Sequence, residues 1–485
     1  MTATTSPSGA RIQGDDFQHL YGWYQALRML IPEHGVDRVE IESDGAGNLD
    51  DVVVRRPAYN DEYVQVKYSV DARNPVTSDW LTTPLSARGK SPLQRFAASW
   101  AGLRKPPGKQ PGMTLFTNRV LDPEDPILML RDGQRGVVGP RLAQETPGSK
   151  AGRQMARWAS HAGLSQPDLI ELLSHLTFKT DQGASNALVE ATCDRMRSVG
   201  LRARELDASA GVAAVRDWVK TGVRTIDASQ LAAEIERRDL KGGVQYSTLL
   251  VEAIDHTHWP DGAAAHLDWV NLFEGTEPRA RVQLRDPSLW STKIRPEMVA
   301  AARALEAKGA SRIVVRGYMR LPLWFLAGAE LPDTRGHQVA CSQNGAWWSS
   351  ETAASAYEVM CRRMPLDQGG DLAVGLSVTN RVVDDVLTYC KRAALPCGTF
   401  LEVAGAKGVN RTAIADNAEA VGWAHAVRDA VRCAVRDTGA RRVHLFISGP
   451  AGGSLLLGHS WNRVAPTIVY EHLGSAGYVP TFELP

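Results

Sequence analysis

"RDTGARRVHLFISGPAGGSLLLG", residues 436–458, lies without a gap over "EAKGASRIVVRGYMRLPLWFLAG", residues 306–328, at an offset of 130. Gly309 meets Gly439, Ala310 meets Ala440, Arg312 meets Arg442, Ile313 meets Val443 and Gly328 meets Gly458. Each copy reads as a helix end, a Gly-Ala turn, an apolar strand, a loop and a second helix. Beyond the match, "HQVACSQNGAWW" (337–348) lies over "TIVYEHLGSAGY" (467–478), which gives each copy another strand. Short apolar strands alternating with helices build parallel sheets with crossovers. Each copy is therefore read as one Rossmann-like half, and the register held across helix, turn, strand and loop marks a duplication.

Two such halves facing each other across a pseudo-two-fold axis bring their strand-end loops together. Open parallel sheets take their ligands beyond the carboxyl ends of the strands. Here those loops are "RGYMRLP" (316–322) and "SGPAGGS" (448–454). The second puts Gly449, Gly452, Gly453 and Ser454 at a helix start, where free backbone amides can hold an anion; a plain strand-to-helix turn has the same composition. The first adds Tyr318, Arg320 and Trp324, and either Trp347 or Trp348 can stack from the strand that follows. Arginine pairs with phosphate and aromatic rings stack on bases, so the pocket suits a ligand that itself repeats phosphate and base. The remaining strand candidates of this half are 246–254, 279–284, 312–317, 337–342, 371–378, 442–448 and 467–472, with helices at 296–309 and 424–439.

The N-terminal part reads as a smaller α/β unit. "DDFQHLYGWYQALRMLI" (15–31) is an amphipathic helix with Asp15 or Asp16 as its cap. Strands follow at 37–43, 50–56 and 62–69, with "DGAGN" (44–48) as a turn. A helix at 91–103 and a strand at 113–118 complete the unit. Side chains alternate along a strand, so in "YVQVK" Gln65 and Lys67 share one face and Val64 and Val66 the other. Asp51 begins the preceding strand, 13 residues separating it from Gln65. A carboxylate and an amide oxygen are ligands that a hard cation such as Mg²⁺, or Mn²⁺, accepts. A lysine beside them can orient a water or stabilise phosphoryl charge. The candidate catalytic residues are Asp51, Gln65 and Lys67. The candidate metal ligands are Asp51, Gln65 and Glu42, with Asp50 the alternative to Asp51. An ordinary polar strand face has the same spacing.

Residues 80–121 carry seven basic side chains and no acid. In a chain of formal net charge +1 this is a local positive field, of the kind that holds phosphate backbones. Arg88, Lys90, Arg95, Arg104 and Lys105 are the DNA-binding candidates, with Lys109 and Arg119 in the same run.

At 485 residues the chain exceeds one core. The expected division is an α/β domain at 1–155, a helical connector at 156–244 and an α/β domain at 245–485. Six cysteines at irregular spacing, none in a CxxC pair, fit a reduced compartment. His256 and His258 in "DHTHW" read as an incidental loop pair, not a zinc site. No apolar run reaches the roughly 18 residues of a membrane span, and the polar start lacks a signal-peptide core. A soluble, cytoplasmic protein with no membrane partner is expected.

With these motifs in place, the C-terminal part resembles a SAVED domain, two fused CARF-like halves that sense cyclic oligonucleotides. "IVVRGYMRLPLWFLAG", "GAWWSS", "VHLFISGPAGGSLLLG" and "IVYEHLGSAGYVPTFEL" carry that likeness. The N-terminal part is similar to the restriction-endonuclease-like domain fused to SAVED in bacterial CBASS anti-phage effectors. "GDDFQHLYGW", "LDDVVV", "YVQVKYS" and "LFTNR" carry it. In that family an Asp and a Gln-x-Lys form the metal-dependent site, which corresponds to Asp51, Gln65 and Lys67. Relative to the wider PD-(D/E)xK motif, Gln65 stands where a carboxylate is usual, and the missing charge implies weaker metal binding. The resemblance implies an Mg²⁺-dependent endonuclease acting on double-stranded DNA. Its activator would be a cyclic tri- or other oligonucleotide made by a CD-NTase, which drives homo-oligomerisation. Two other readings are a sensor whose nuclease domain is inactive, and a ring nuclease that degrades its own ligand. For the latter, His444, inside a strand, and His459, past the helix, are poorly placed.

Overall fold

The computed structural model describes residues 7–43, 49–84, 89–103, 110–132, 136–180, 185–257, 262–366 and 369–485. The chain divides into two compact units, Met1–Gln245 and Tyr246–Pro485.

The first unit is built on a six-stranded mixed sheet. Its strands are β1 (Arg38–Ile41), β2 (Val52–Arg55), β3 (Glu62–Lys67), β4 (Gly112–Thr117), β5 (Leu176–Lys179) and β6 (Thr225–Asp227). Their order is β5-β4-β3-β2-β1-β6. The first three form an antiparallel meander. β4 joins β3 in parallel, β5 joins β4 in parallel, and β6 lies antiparallel to β1. Val39 and Ile41 are buried, as the alternation in β1 requires. Val52, Val53 and Val54 are all buried, because the sheet is covered on both faces. On one face Val53, Tyr63, Met113 and Leu115 pack with Trp100 and Trp158. On the other, Phe116 meets Phe17 and Tyr21 of helix Pro7–Ala26 at ring separations of 5.3 and 4.2 Å.

Two expectations change here. The first helix begins at Pro7, so Asp15 and Asp16 are interior residues, not caps, and Asp16 pairs with Arg216. Residues 156–244 are not a separate connector: they belong to the first unit. They supply both edge strands, β5 and β6, and helix Glu205–Lys220, which packs on helix Pro7–Ala26. Strands of four and three residues are too short to display a period of two.

The second unit holds two sheets. The first contains β7 (Ser247–Glu252), β8 (Ala265–Asp268), β9 (Arg312–Arg316), β10 (Gln338–Gln343) and β11 (Ala346–Ser349), in the order β11-β10-β9-β7-β8. The second contains β12 (Val359–Pro365), β13 (Asp371–Ser377), β14 (Cys397–Gly405), β15 (Val443–Ser448), β16 (Thr467–His472) and β17 (Tyr478–Leu484), in the order β12-β14-β13-β15-β16-β17. Without the extra edge strand β12, the two orders are the same, and so are the parallel and antiparallel pairings. The repeated residues have matching tasks. Gly309 and Gly439 both take the left-handed conformation that ends a helix (φ 75° and 66°). Arg312 and Arg442 each pair with a glutamate on the antiparallel side of its sheet, Glu351 at 2.9 Å and Glu483 at 3.0 Å. Helices Leu321–Glu330 and Ala451–Ser460 cross at the pseudo-two-fold axis. A Cβ on Gly328 would stand 2.1 Å from the Leu455 carbonyl oxygen, and one on Gly458 2.1 Å from that of Phe325.

Two strand readings are corrected in this unit. Residues 279–284 form no strand. The turn at Pro278–Ala280 takes the amides of Ala280, Arg281 and Val282, and a single bridge joins Leu284 to Phe273. "HQVACSQNGAWW" is not one strand but a hairpin, β10 to β11. Its Asn344-Gly345 turn has both φ positive, at 51° and 79°, the geometry an Asn-Gly hairpin adopts.

Candidate functional site

Asp51 immediately precedes β2, where Val52 pairs with Val64 of β3. That register sets the carboxylate against the next residues of β3. Asp51 Oδ2 accepts the backbone N–H of Val66 at 2.7 Å and an N–H of the Gln65 amide. Lys67 Nζ stands 3.9 Å from the same oxygen. Oδ1 takes no hydrogen bond from the described residues. Burial pushes the Asp51 carboxyl above the ordinary carboxylate range, against the opposing pull of Lys67 and of the Val66 and Gln65 hydrogen bonds. Of the two acids, Asp51 is the one that meets Gln65 and Lys67; Asp50 uses its carbonyl to accept the N–H of Ser43 at 2.8 Å. Glu42 adjoins Asp51 through its backbone, its N–H donating to the Asp51 carbonyl at 3.1 Å. Its carboxylate is held elsewhere, by Arg224.

Gln65 and Lys67 open onto a cavity of about 200 Å³ that Trp80, Arg95 and Arg119 also line. The Arg119 guanidinium lies over the Trp80 ring at 5.3 Å. Arg95 is half-buried and bonds the carbonyl of the exposed Lys90 at 3.3 Å. Of the basic candidates, Arg88, Arg104, Lys105 and Lys109 lie outside the described residues.

In the second unit a larger cavity, about 430 Å³, sits at the carboxyl ends of β13, β15 and β16. Thr379, Asn380 and Arg381 follow β13, Ser448 ends β15 and Gly449 follows it, and Glu471 and His472 end β16. The other half contributes Ile254 and Met319–Pro322. Arg320 crosses to Glu471 at 2.9 Å and bonds the His472 carbonyl at 3.2 Å. Glu471 is deeply buried and its Oε2 has no partner among the described residues. Burial pushes its carboxyl up, and Arg320 opposes the shift.

Of the residues named for ligand binding, Arg320 and Gly449 line this cavity. Tyr318 is exposed beside it. Trp324 is buried in the core, and Trp347 meets Tyr246 edge-on at 5.2 Å. Gly452, Gly453 and Ser454 are buried. The Gly452 amide is not free for an anion, because the Gln343 side chain accepts it at 2.8 Å. The segment "VTNR" (378–381) and Glu471 were overlooked because nothing in their composition separates them from ordinary strand ends. The repeat alone could have found them, by extending each half to all of its strand-end loops. His444 and His459 are buried, and neither lines the cavity. His444 bonds Tyr470 and Asp371, and His459 bonds the Leu331 carbonyl.

The C-terminal unit is a duplicated α/β domain with its cavity at the strand ends, and residues 297–484 match the family model of the SMODS-associated and fused to various effectors sensor domain, SAVED. The C-terminal unit thus carries a SAVED domain. The chain is 24% identical to CD-NTase-associated protein 4 of Enterobacter hormaechei subsp. hoffmannii over 519 aligned positions, covering 98% of this chain and 99% of that relative. Solved structures similar to it include the Cap4 SAVED/CARF-domain receptor of Acinetobacter baumannii with the cyclic trinucleotide 2'3'3'-cAAA (13% identity, 97% and 98% of the two chains, TM-score 0.43). The Cap4 receptor of Moraxella osloensis is a second (16%, 98% and 100%, TM-score 0.38). Among the described residues, no helix is long and apolar enough to cross a membrane.

Proposed function

We propose that the chain is a CBASS anti-phage effector. In this reading its SAVED domain binds a cyclic oligonucleotide, and its N-terminal unit is a PD-(D/E)xK-like endonuclease that cuts double-stranded DNA in the cytoplasm. The observation that carries the reading is the meeting of Asp51, Gln65 and Lys67 at one point beside a cavity lined by Arg95 and Arg119, in a chain that also holds a SAVED domain.

The donor set fits a hard dication. Asp51 Oδ1 and the Gln65 amide oxygen are oxygen ligands, and a cation there would offset the cost of a buried carboxylate. Such an ion, Mg²⁺ or Mn²⁺, supplies positive charge to the phosphoryl oxygens. Lys67 orients the attacking water and stabilises the charge that builds on the phosphate. Arg95, Arg119 and Lys90 hold the DNA backbone, and Arg88, Arg104 and Lys105 extend that basic run along the sequence. Glu42 becomes a third ligand only by releasing Arg224.

In the sensor, Arg320 and the polar groups of Thr379, Asn380 and Ser448 are the phosphate donors for a cyclic tri- or related oligonucleotide made by a CD-NTase. Ligand binding favours an active homo-oligomer. Moving such an equilibrium from 1:99 to 99:1 takes about 5.5 kcal/mol of differential affinity.

One observation favours the rival, a sensor with an inactive nuclease. Gln65 stands where the wider motif has a carboxylate, so the site offers a cation one negative charge fewer. The two readings separate in a plasmid-cleavage assay with Mg²⁺ across cyclic di-, tri- and tetranucleotides, run beside calorimetric binding of each. Our reading expects one ligand both to bind and to trigger cutting. Tight binding without cutting would support the inactive nuclease instead.

A further inference from the structure

We propose that Glu252, His256, His266 and Asp268 form a site for a transition-metal dication of the zinc class, separate from the nuclease centre. β7 and β8 run parallel, and Glu252 pairs with Asp268 at their carboxyl ends. Two carboxylates are thus brought side by side, and an imidazole faces each. His256 Nε2 lies 3.2 Å from both oxygens of Asp268, and His266 Nε2 lies 2.9 Å from Glu252 Oε2. One donor atom each from Glu252, His256 and Asp268 all fall within 4.8 Å of one another. These are three donors of an N/O set that Zn²⁺ accepts, and the His266 nitrogen, bonded to Glu252, is the proposed fourth. Glu252 is 2% exposed, and a buried carboxylate beside a second one calls for compensating positive charge. Spacing hid this set: Glu252 and His256 lie ten or more residues from His266 and Asp268, and His258 lies outside the described residues.

The other half of the duplication supplies an internal control. Ser247 pairs with Ile313 of β9 as Leu372 pairs with Val443 of β15. Five residues on, Glu252 therefore corresponds to Ser377. Across the next strand pair, His266 opposite Leu250 corresponds to Glu402 opposite Gly375. There Ser377 Oγ and Arg381 each approach Glu402 at 3.5 Å. That acid meets a hydroxyl and a guanidinium, neither a zinc ligand, so among the described residues only the first half carries the metal-binding set.

The site would fix a wall of the ligand cavity. Ile254 lies between Glu252 and His256 and lines that cavity. The amides of Ala253 and Ile254 both donate to the Tyr318 carbonyl, at 2.9 and 2.8 Å.

The test uses the full chain carrying Asp51→Asn, so that the nuclease centre does not contribute. Zn²⁺ is titrated and the bound metal counted by mass spectrometry, with Co²⁺ as a visible-absorption probe of tetrahedral coordination. We expect one equivalent of Zn²⁺, a tetrahedral Co²⁺ spectrum and a melting temperature raised by Zn²⁺. His266→Ala and the near-isosteric Asp268→Asn should each weaken the metal at least tenfold and remove that melting shift. Failure to bind Zn²⁺, or binding that both variants retain, overturns the proposal.

Discussion

Each unit buries one carboxyl group at its candidate site, and the two are compensated differently. Asp51 has a lysine 3.9 Å away on the neighbouring strand of its own sheet. Glu471 has an arginine at 2.9 Å that arrives from the other half of the duplication. In both, burial outweighs the partner and the carboxyl is pushed up. The first site is self-contained, and its lysine does not fully offset the burial of Asp51, so a cation would add compensating charge. The second is closed by a contact between halves, so whatever enters the cavity and competes for Arg320 also acts on how the halves are held.

The sharpest way to separate them is to remove one member of each. Arg320→Ala strands Glu471 in the interior, a loss of about 3–5 kcal/mol when a buried pair is broken. A carboxyl whose folded pKa lies above its unfolded value binds its proton more tightly when folded. Its charge therefore costs stability above that pKa, and the cost fades as pH falls through it. The melting deficit of Arg320→Ala should be widest at pH 8 and narrow toward pH 5, with ligand binding lost. A pH-independent deficit would mean that Glu471 is not the stranded group.

Asp51→Asn should reduce ligand-triggered cutting about 10²- to 10³-fold, the order seen when one preorganised catalytic group is removed. By the same sign rule it should melt no lower than the parent at neutral pH, since it deletes a charge whose burial is costly. Any advantage should shrink on acidification. A large loss of stability at pH 7 would contradict the placement of Asp51.

The frame shared by the halves is tested at the helix crossing. Gly458→Ala drives a methyl group into the Phe325 carbonyl, and overpacking of this kind costs about 1–3 kcal/mol. Denaturant unfolding should show that loss, and Gly328→Ala should match it if the axis is symmetric. The smallest effect is expected from Gln65→Glu, which restores the carboxylate usual in the motif. It should lower the Mg²⁺ concentration needed for half-maximal cutting by a few-fold, and an increase would argue against Gln65 as a ligand.

The duplication was legible because its glycines are demanded by geometry. Gly309 and Gly439 end helices in the left-handed region, and Gly328 and Gly458 permit two backbones to touch. The Asp51, Gln65 and Lys67 cluster was legible because strand alternation and a short connection fix which side chains meet. The cavity at the strand ends was mostly not: Trp324, Gly452, Gly453 and Ser454 resemble pocket residues in composition, yet packing around the helix crossing buries them. Glu471, Thr379 and Asn380 gave no local signal, since their significance lies in which strand ends converge. The strands β5 and β6 escaped notice because three or four residues cannot establish a period, and only their pairing with β4 and β1 defines them.

The measurement that bears most directly on the proposed gated nuclease is a comparison of the parent and Lys67→Ala proteins. Each is given supercoiled plasmid, Mg²⁺ and the cyclic oligonucleotide that binds the parent most tightly, and binding is measured on the same preparations. The account predicts equal ligand affinity in the two, ligand-dependent cutting by the parent, and cutting reduced about 10²- to 10⁴-fold in Lys67→Ala. Equal cutting by both proteins, or none by the ligand-saturated parent, would contradict it.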